Sequence, residues 1–209
     1  MPTIIRKQLV GKYGPCYTAG RNRTLDHILL HHTASGGSGG HGGADAVWNF
    51  WYGMQPGNRA SANYIVGKDG SIVEAVRPQD TAWHAGTSEW NARSVGIEIV
   101  NWGNGKDPFP DVQLKAVAWL CKYLMKKYPA IDVKPLTTVG GHQRLGDIWE
   151  HEEVMAGKID MRANFPWQQL YNLITAPALT GRVAKVPIPK VLPKWWKKYL
   201  RPYLKRVQG

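Results

Sequence analysis

Between residues 26 and 100 the chain repeatedly sets runs of six or seven apolar or alternating residues between turn-forming ones, and that spacing commits it to a sheet. Residues 26–31 (D-H-I-L-L-H), 61–66, 71–76 after the turn at Asp69-Gly70, and 94–100 (S-V-G-I-E-I-V) each predict a strand. Two longer segments carry the other period. Residues 44–54 form a Trp-rich helical stretch, and residues 111–128 place Leu114, Val117, Leu120, Cys121 and Leu124 at 3-4 spacing, an amphipathic helix with one stripe for the core. Residues 165–174 predict a last, shorter helix. Strands and helices in this mixture predict an α/β fold, a mixed central β-sheet flanked by helices. The glycine run 36–43 predicts a mobile loop, and there is no internal repeat.

A chain of 209 residues accommodates one domain and an appendage. With 43% hydrophobic and 20% charged residues it is neither a disordered polyelectrolyte nor a membrane bundle. The net charge of +12 favours anionic partners such as nucleic acid, acidic lipid or wall polymer, but it is unevenly placed. Residues 176–209 hold nine Lys and Arg and no acidic residue, whereas residues 1–175 hold 18 basic against 15 acidic, a net of +3. The expected division is therefore a domain over 1–175 and a basic Pro/Lys/Trp-rich tail over 176–209. Pro177, Pro187, Pro189 and Pro193 make the first part of the tail an extended linker. Beyond it, Trp195, Trp196, Tyr199, Leu200, Tyr203 and Leu204 would share one half of a helix opposite Lys and Arg, the pattern of a segment that binds a membrane surface or an anionic wall polymer. Pro202 interrupts that helix by removing the bond to Lys198, and the same aromatic residues are equally suited to pack back on the domain.

Cys16 and Cys121 are too few for a disulfide scaffold and are expected to be thiols. The first twelve residues lack the hydrophobic stretch of a secretory signal, and no segment approaches the ~20 apolar residues needed to span a membrane.

The histidines carry the chemistry. His31 and His32 close the first strand, where neighbours point to opposite faces, so one of the two faces a site and the other is structural. His151 lies nine residues before Asp160 across a Gly-containing loop, with Lys158 two residues before the Asp. An imidazole and a carboxylate at the two ends of a loop can converge on one ion, and a catalytic zinc site needs three protein ligands and one open position, a count that His, His and Asp meet. Glu98 alternates with Ile97 and Ile99 and so faces away from them, either as a solvated group or as a general base.

Taken in order, Ile28-Leu29-Leu30-His31-His32-Thr33-Ala34, Ser61-Ala62-Asn63-Tyr64-Ile65-Val66, Thr81-Ala82-Trp83-His84-Ala85-Gly86, Ser94-Val95-Gly96-Ile97-Glu98-Ile99 and His151 to Asp160 followed by Asn164-Phe165-Pro166-Trp167 resemble the zinc-dependent N-acetylmuramoyl-L-alanine amidases, which share a fold with the peptidoglycan recognition proteins. The resemblance runs over roughly residues 25 to 175. It implies Zn2+ as cofactor and His31, His151 and Asp160 as ligands. His142, in Val139-Gly140-Gly141-His142, is the alternative second ligand; the acid two residues after His151, the apolar residue after that and the Gly-Lys before Asp160 favour His151, whereas Gln143-Arg144 do not match.

Family members place either a Tyr in the second motif or a Glu on the later strand beside the attacking water. The Tyr position is Ala62 here and the Glu position is Glu98, so the resemblance assigns the base to Glu98. It assigns Lys158 to the developing oxyanion and Asn63, Trp83 and His84 to the groove that binds substrate. The implied partner is bacterial peptidoglycan, cut between N-acetylmuramic acid and L-alanine by a monomer. A phage endolysin that accumulates in the host cytoplasm and is then released to the wall fits these features. A cytoplasmic recycling enzyme has the same signature, and the basic tail favours the endolysin. The rival reading is a zinc-free module that binds muropeptide without cutting it. Nucleic acid is excluded as a partner because no nucleic-acid motif is present and the His and Asp arrangement would stand idle.

Overall fold

A computed structural model describes residues 2–12, 14–34, 43–53, 60–158, 160–161 and 164–177. The strands are β1 (Ile4–Arg6), β2 (Val10–Gly11), β3 (Gly14–Pro15), β4 (Tyr17–Thr18), β5 (His27–His32), β6 (Tyr64–Val66), β7 (Ile72–Glu74), β8 (Thr81–Ala82), β9 (Ser94–Ile99), β10 (Thr137–Val139), β11 (His142–Arg144) and β12 (Ile148–Glu150). The helices are α1 (Ala44–Tyr52), α2 (Ser88–Arg93), α3 (Asp111–Lys127) and α4 (Trp167–Thr175), with a 3-10 turn over His151–Glu153. Met1–Thr175 form one compact unit. The tail expected from residue 176 lies, from residue 178 onward, outside the described residues, as does the expected glycine loop over residues 36–42.

Six strands form the central sheet in the order β1-β7-β6-β9-β5-β12. β6, β9, β5 and β12 run parallel, β7 is antiparallel to β6, and β1 closes the edge parallel to β7, so the sheet is mixed as expected. Residue alternation sorts the two faces. Ile28, Leu30, Tyr64, Val66, Ile72, Val95, Ile97 and Ile99 pack with Leu114, Val117, Leu120, Cys121 and Leu124 of α3 and with Trp167, Leu170 and Ile174 of α4. Ile65 and Val73 on the opposite face pack with Ala44, Val47 and Trp51 of α1. The α3 stripe predicted from 3-4 spacing is thus the one that is buried. Asp111 in its first turn and Lys126 and Lys127 in its last complement the helix dipole.

The expected strand over 61–66 is shorter in the structure, and the reason is local. Both Ala75 and Val76 donate backbone hydrogen bonds to the carbonyl of Asn63, a two-to-one pairing that ends the regular ladder there. Several short elements had no strong period to announce them, among them the edge strand β1, the three-residue β12 and the six-residue α2. Cys16 and Cys121 are buried thiols, as expected.

Candidate metal centre

In parallel sheets functional groups gather beyond the carboxyl ends of the strands. Three neighbouring strands do so here: β5 ends in His31-His32, β9 carries Glu98 one residue from its end, and β12 runs directly into His151. The register sets Glu98 opposite His31, so both leave the sheet on one face. His31 Nδ1 lies 3.0 Å from His151 Nδ1, His151 Nδ1 lies 2.6 Å from Asp160 Oδ2, and His31 Nδ1 lies 3.5 Å from the same oxygen. Two imidazole nitrogens and one carboxylate oxygen therefore face a single point.

This donor set fits a divalent cation. Ligands at zinc distances in a tetrahedron stand about 3.3 Å apart, close to the three separations found. The two histidines are buried, which keeps His31 neutral: burial, aided by the charge of His151 and opposed by Asp160, holds its pKa below the usual imidazole value. Burial opposes ionisation of Asp160, but hydrogen bonds from His151 and His31 outweigh it and hold its carboxyl well below the usual range. A neutral His31 beside an ionised Asp160 suits a metal. Among the described residues, His31, His151 and Asp160 form the group that could hold an ion. His142 is elsewhere: on β11 it bonds Glu150 Oε1 at 3.1 Å.

A pocket of about 320 Å3 opens onto this centre, with His31, Glu98, His151, Lys158, Asp160 and Trp83 in its walls. Glu98 is partly exposed there, yet its Oε2 is sealed from solvent and bonds no described residue. Burial, reinforced by the charge of Asp160 and opposed by Lys158, pushes its pKa up to about 8. Trp83 is fixed as a wall by its Nε1, which donates to Thr18 Oγ1 at 3.1 Å, and by its backbone N–H, which donates to Ser61 Oγ at 3.0 Å.

The other two expected groove residues are both buried, one away from the pocket and one at its border. Asn63 is fully buried and does not reach the pocket. Its Oδ1 accepts from the Gly96 N–H, and its Nδ2 donates to the carbonyls of Val76 and Arg77, so the side chain is spent on joining three segments of backbone. His84 borders the pocket but is buried behind His31, with its Nδ1 3.0 Å from His31 Nε2. His32 obeys strand alternation, yet at the strand end its N–H donates to Asp160 Oδ1 and its Nδ1 comes within 3.6 Å of that oxygen. It thus supports the ligand carboxylate while its ring packs against Gly103, a contact the sequence did not announce. One signal that did exist was Gly96: a glycine within an apolar strand marks a close approach, and the approaching group is the His84 ring.

A mixed sheet with a two-histidine, one-carboxylate centre and a glutamate beside it at its strand ends defines a class of candidate metal-assisted hydrolases. Comparison places the chain more narrowly, since the profile described as N-acetylmuramoyl-L-alanine amidase matches residues 21–161. The chain belongs to that family, as its motifs suggested. Over 79 residues it is 35% identical to the 1,6-anhydro-N-acetylmuramyl-L-alanine amidase AmpD of Haemophilus influenzae, a stretch that covers 35% of this chain and 42% of that one. The chain thus matches less than half the length of this curated relative. Among solved structures, a selenomethionine AmpD derivative superposes with a TM-score of 0.65 at 22% identity, over 84% of this chain and 96% of that one. A mutant endolysin from Bacillus subtilis does so with a TM-score of 0.61 at 23% identity, over 83% and 99%. These two likenesses establish the fold.

Proposed function

We propose that the chain hydrolyses the amide between the lactyl group of N-acetylmuramic acid and the L-alanine of the peptidoglycan stem peptide, with Zn2+ held by His31, His151 and Asp160. The observation that carries this reading is the convergence of those three donors beside Glu98 in one pocket. Family membership and the likeness to AmpD support the substrate. Bound zinc supplies Lewis-acid polarisation of the scissile carbonyl and of water. Glu98 Oε2, which has no hydrogen-bond partner among the described residues, takes a proton from the attacking water as its oxygen bonds to the carbonyl carbon, and delivers it to the alanine nitrogen as the C–N bond breaks. Lys158 brings a positive charge to the same pocket and offsets the negative charge that develops on the carbonyl oxygen. Trp83 bounds the space in which the substrate is held.

The test is to load purified protein with zinc and measure free amino groups and lactyl carboxylates released from peptidoglycan. Bound zinc with no release favours the recognition module instead. We further assign the enzyme to phage-induced lysis of the host wall, acting as a monomer after release from the host cytoplasm. The +9 tail over residues 176–209 supports this, because it suits an enzyme held at an anionic wall polymer or membrane surface more than one acting on soluble fragments.

A further inference from the structure

His84 stands in the second rank of the site, behind a ligand. Its Nδ1 lies 3.0 Å from His31 Nε2, and the two rings meet edge to face at 83° with centroids 5.1 Å apart. The other nitrogen of His31, Nδ1, is the one that faces His151 and Asp160. An imidazole that gives one nitrogen's lone pair to a cation carries its proton on the other, so with the cation bound His31 would carry its proton on Nε2, where His84 Nδ1 is placed to accept it.

Several unrelated features keep His84 in that position. Its backbone N–H and that of Ala85 both donate to Asn91 Oδ1, at 2.9 and 2.7 Å. Its ring lies flat against β9 at Gly96, where a Cβ would come within 2.5 to 2.7 Å of three ring atoms. His84 Nε2 is sealed from solvent, and the ring is also held by a hydrogen bond to the Ser94 backbone.

We propose that His84 is a positioning residue that fixes the tautomer and orientation of His31 and thereby sets the affinity of the site for its cation. It rests on the metal-site reading above.

The test compares full-length wild type with H84N and H84L. Asn carries an acceptor oxygen near the place of the lost Nδ1, whereas Leu has the same branched shape and no acceptor. Zinc affinity, measured without substrate by competition with a chromophoric chelator, is expected to fall about 10- to 100-fold in H84L and to stay within a few-fold of wild type in H84N. Nitrogen-15 spectra of the histidine rings in zinc-loaded wild type, which need no variant to fold, are expected to show His31 protonated at Nε2 and His84 at Nε2. Equal zinc affinity in H84L and wild type, or a His84 proton on Nδ1, overturns the proposal while leaving the amidase reading intact. A wild-type chain that binds no zinc overturns both.

Discussion

Glu98 stands directly opposite His31 in the parallel register of β9 and β5, and this pairing brings its carboxylate to the same pocket as the converging donors. The spacing is fixed by the sheet and not by a loop. A general base on a rigid strand contributes about 10^2 to 10^4 in rate. E98Q preserves the shape and removes the basic oxygen, so turnover of peptidoglycan is expected to fall by that order while zinc content, measured by elemental analysis, is unchanged. Wild-type turnover in E98Q would remove Glu98 from the reaction.

The two candidate histidines of the later segment separate cleanly. His151 is buried with Nδ1 2.6 Å from Asp160, whereas the His142 side chain is 29% exposed and paired with Glu150. H151A is expected to lose stoichiometric zinc, and H142A to keep it with at most a modest drop in melting temperature. Zinc retained in H151A and lost in H142A would reverse the assignment.

Much of this arrangement was legible in the residues, for physical reasons that differ by case. The strands over 27–32 and 94–99 announced themselves through dense apolar runs, and the α3 stripe through its period, since burial on a regular element imposes a regular pattern. His151 and Asp160 were legible because a loop of fixed length joins them. Asn63 was misplaced because its partners, the Gly96 N–H and the carbonyls of Val76 and Arg77, come from segments whose proximity is decided by the sheet order. The contact of His84 with His31, from 53 residues away, is hidden for the same reason. Pairwise contacts between distant short motifs leave no periodic trace.

Gly96 makes that hidden contact testable. A methyl group at this position would lie 2.5 Å from His84 Cγ, and the strand backbone leaves the ring as the part that must move. G96A is expected to destabilise the fold by about 1–3 kcal/mol, read as a lowered denaturation midpoint in urea with an unchanged slope. An unshifted midpoint would mean that the ring has room to retreat.

The tail separates anchoring from chemistry. All nine of its charged residues are basic, and the domain before it is near neutral, so a surface attraction through residues 176–209 should be screened by salt. A chain ending at residue 175 is expected to cleave a soluble muropeptide at the full-length rate and to sediment less with whole cell walls. Full-length sedimentation should decline as salt rises. Equal sedimentation of both chains at low salt would rule out the anchor.

Acid stability is expected to hinge on Asp80, which is remote from the site. Its buried carboxylate accepts from the Gly20 N–H at 2.9 Å, from Gln8 Nε2 at 3.2 Å and from Arg77 Nη2 at 2.9 Å, and so ties the N-terminal segment to the stretch between β7 and β8. Burial acts to raise its pKa, but these hydrogen bonds outweigh it and hold the value below the usual carboxylate range. Because the folded value lies under the unfolded one, the stabilisation is fully present above the unfolded pKa and drains away as pH falls through the folded one. The Arg77 partner is exposed and its share is screened, which leaves the Gly20 and Gln8 bonds as the main contributors. D80N is therefore expected to unfold about 1–3 kcal/mol more easily at neutral pH and to lose less additional stability than wild type between pH 5 and pH 2. Thermal melts of both proteins across that range decide the matter, and parallel acid limbs would exclude Asp80 as the titrating group.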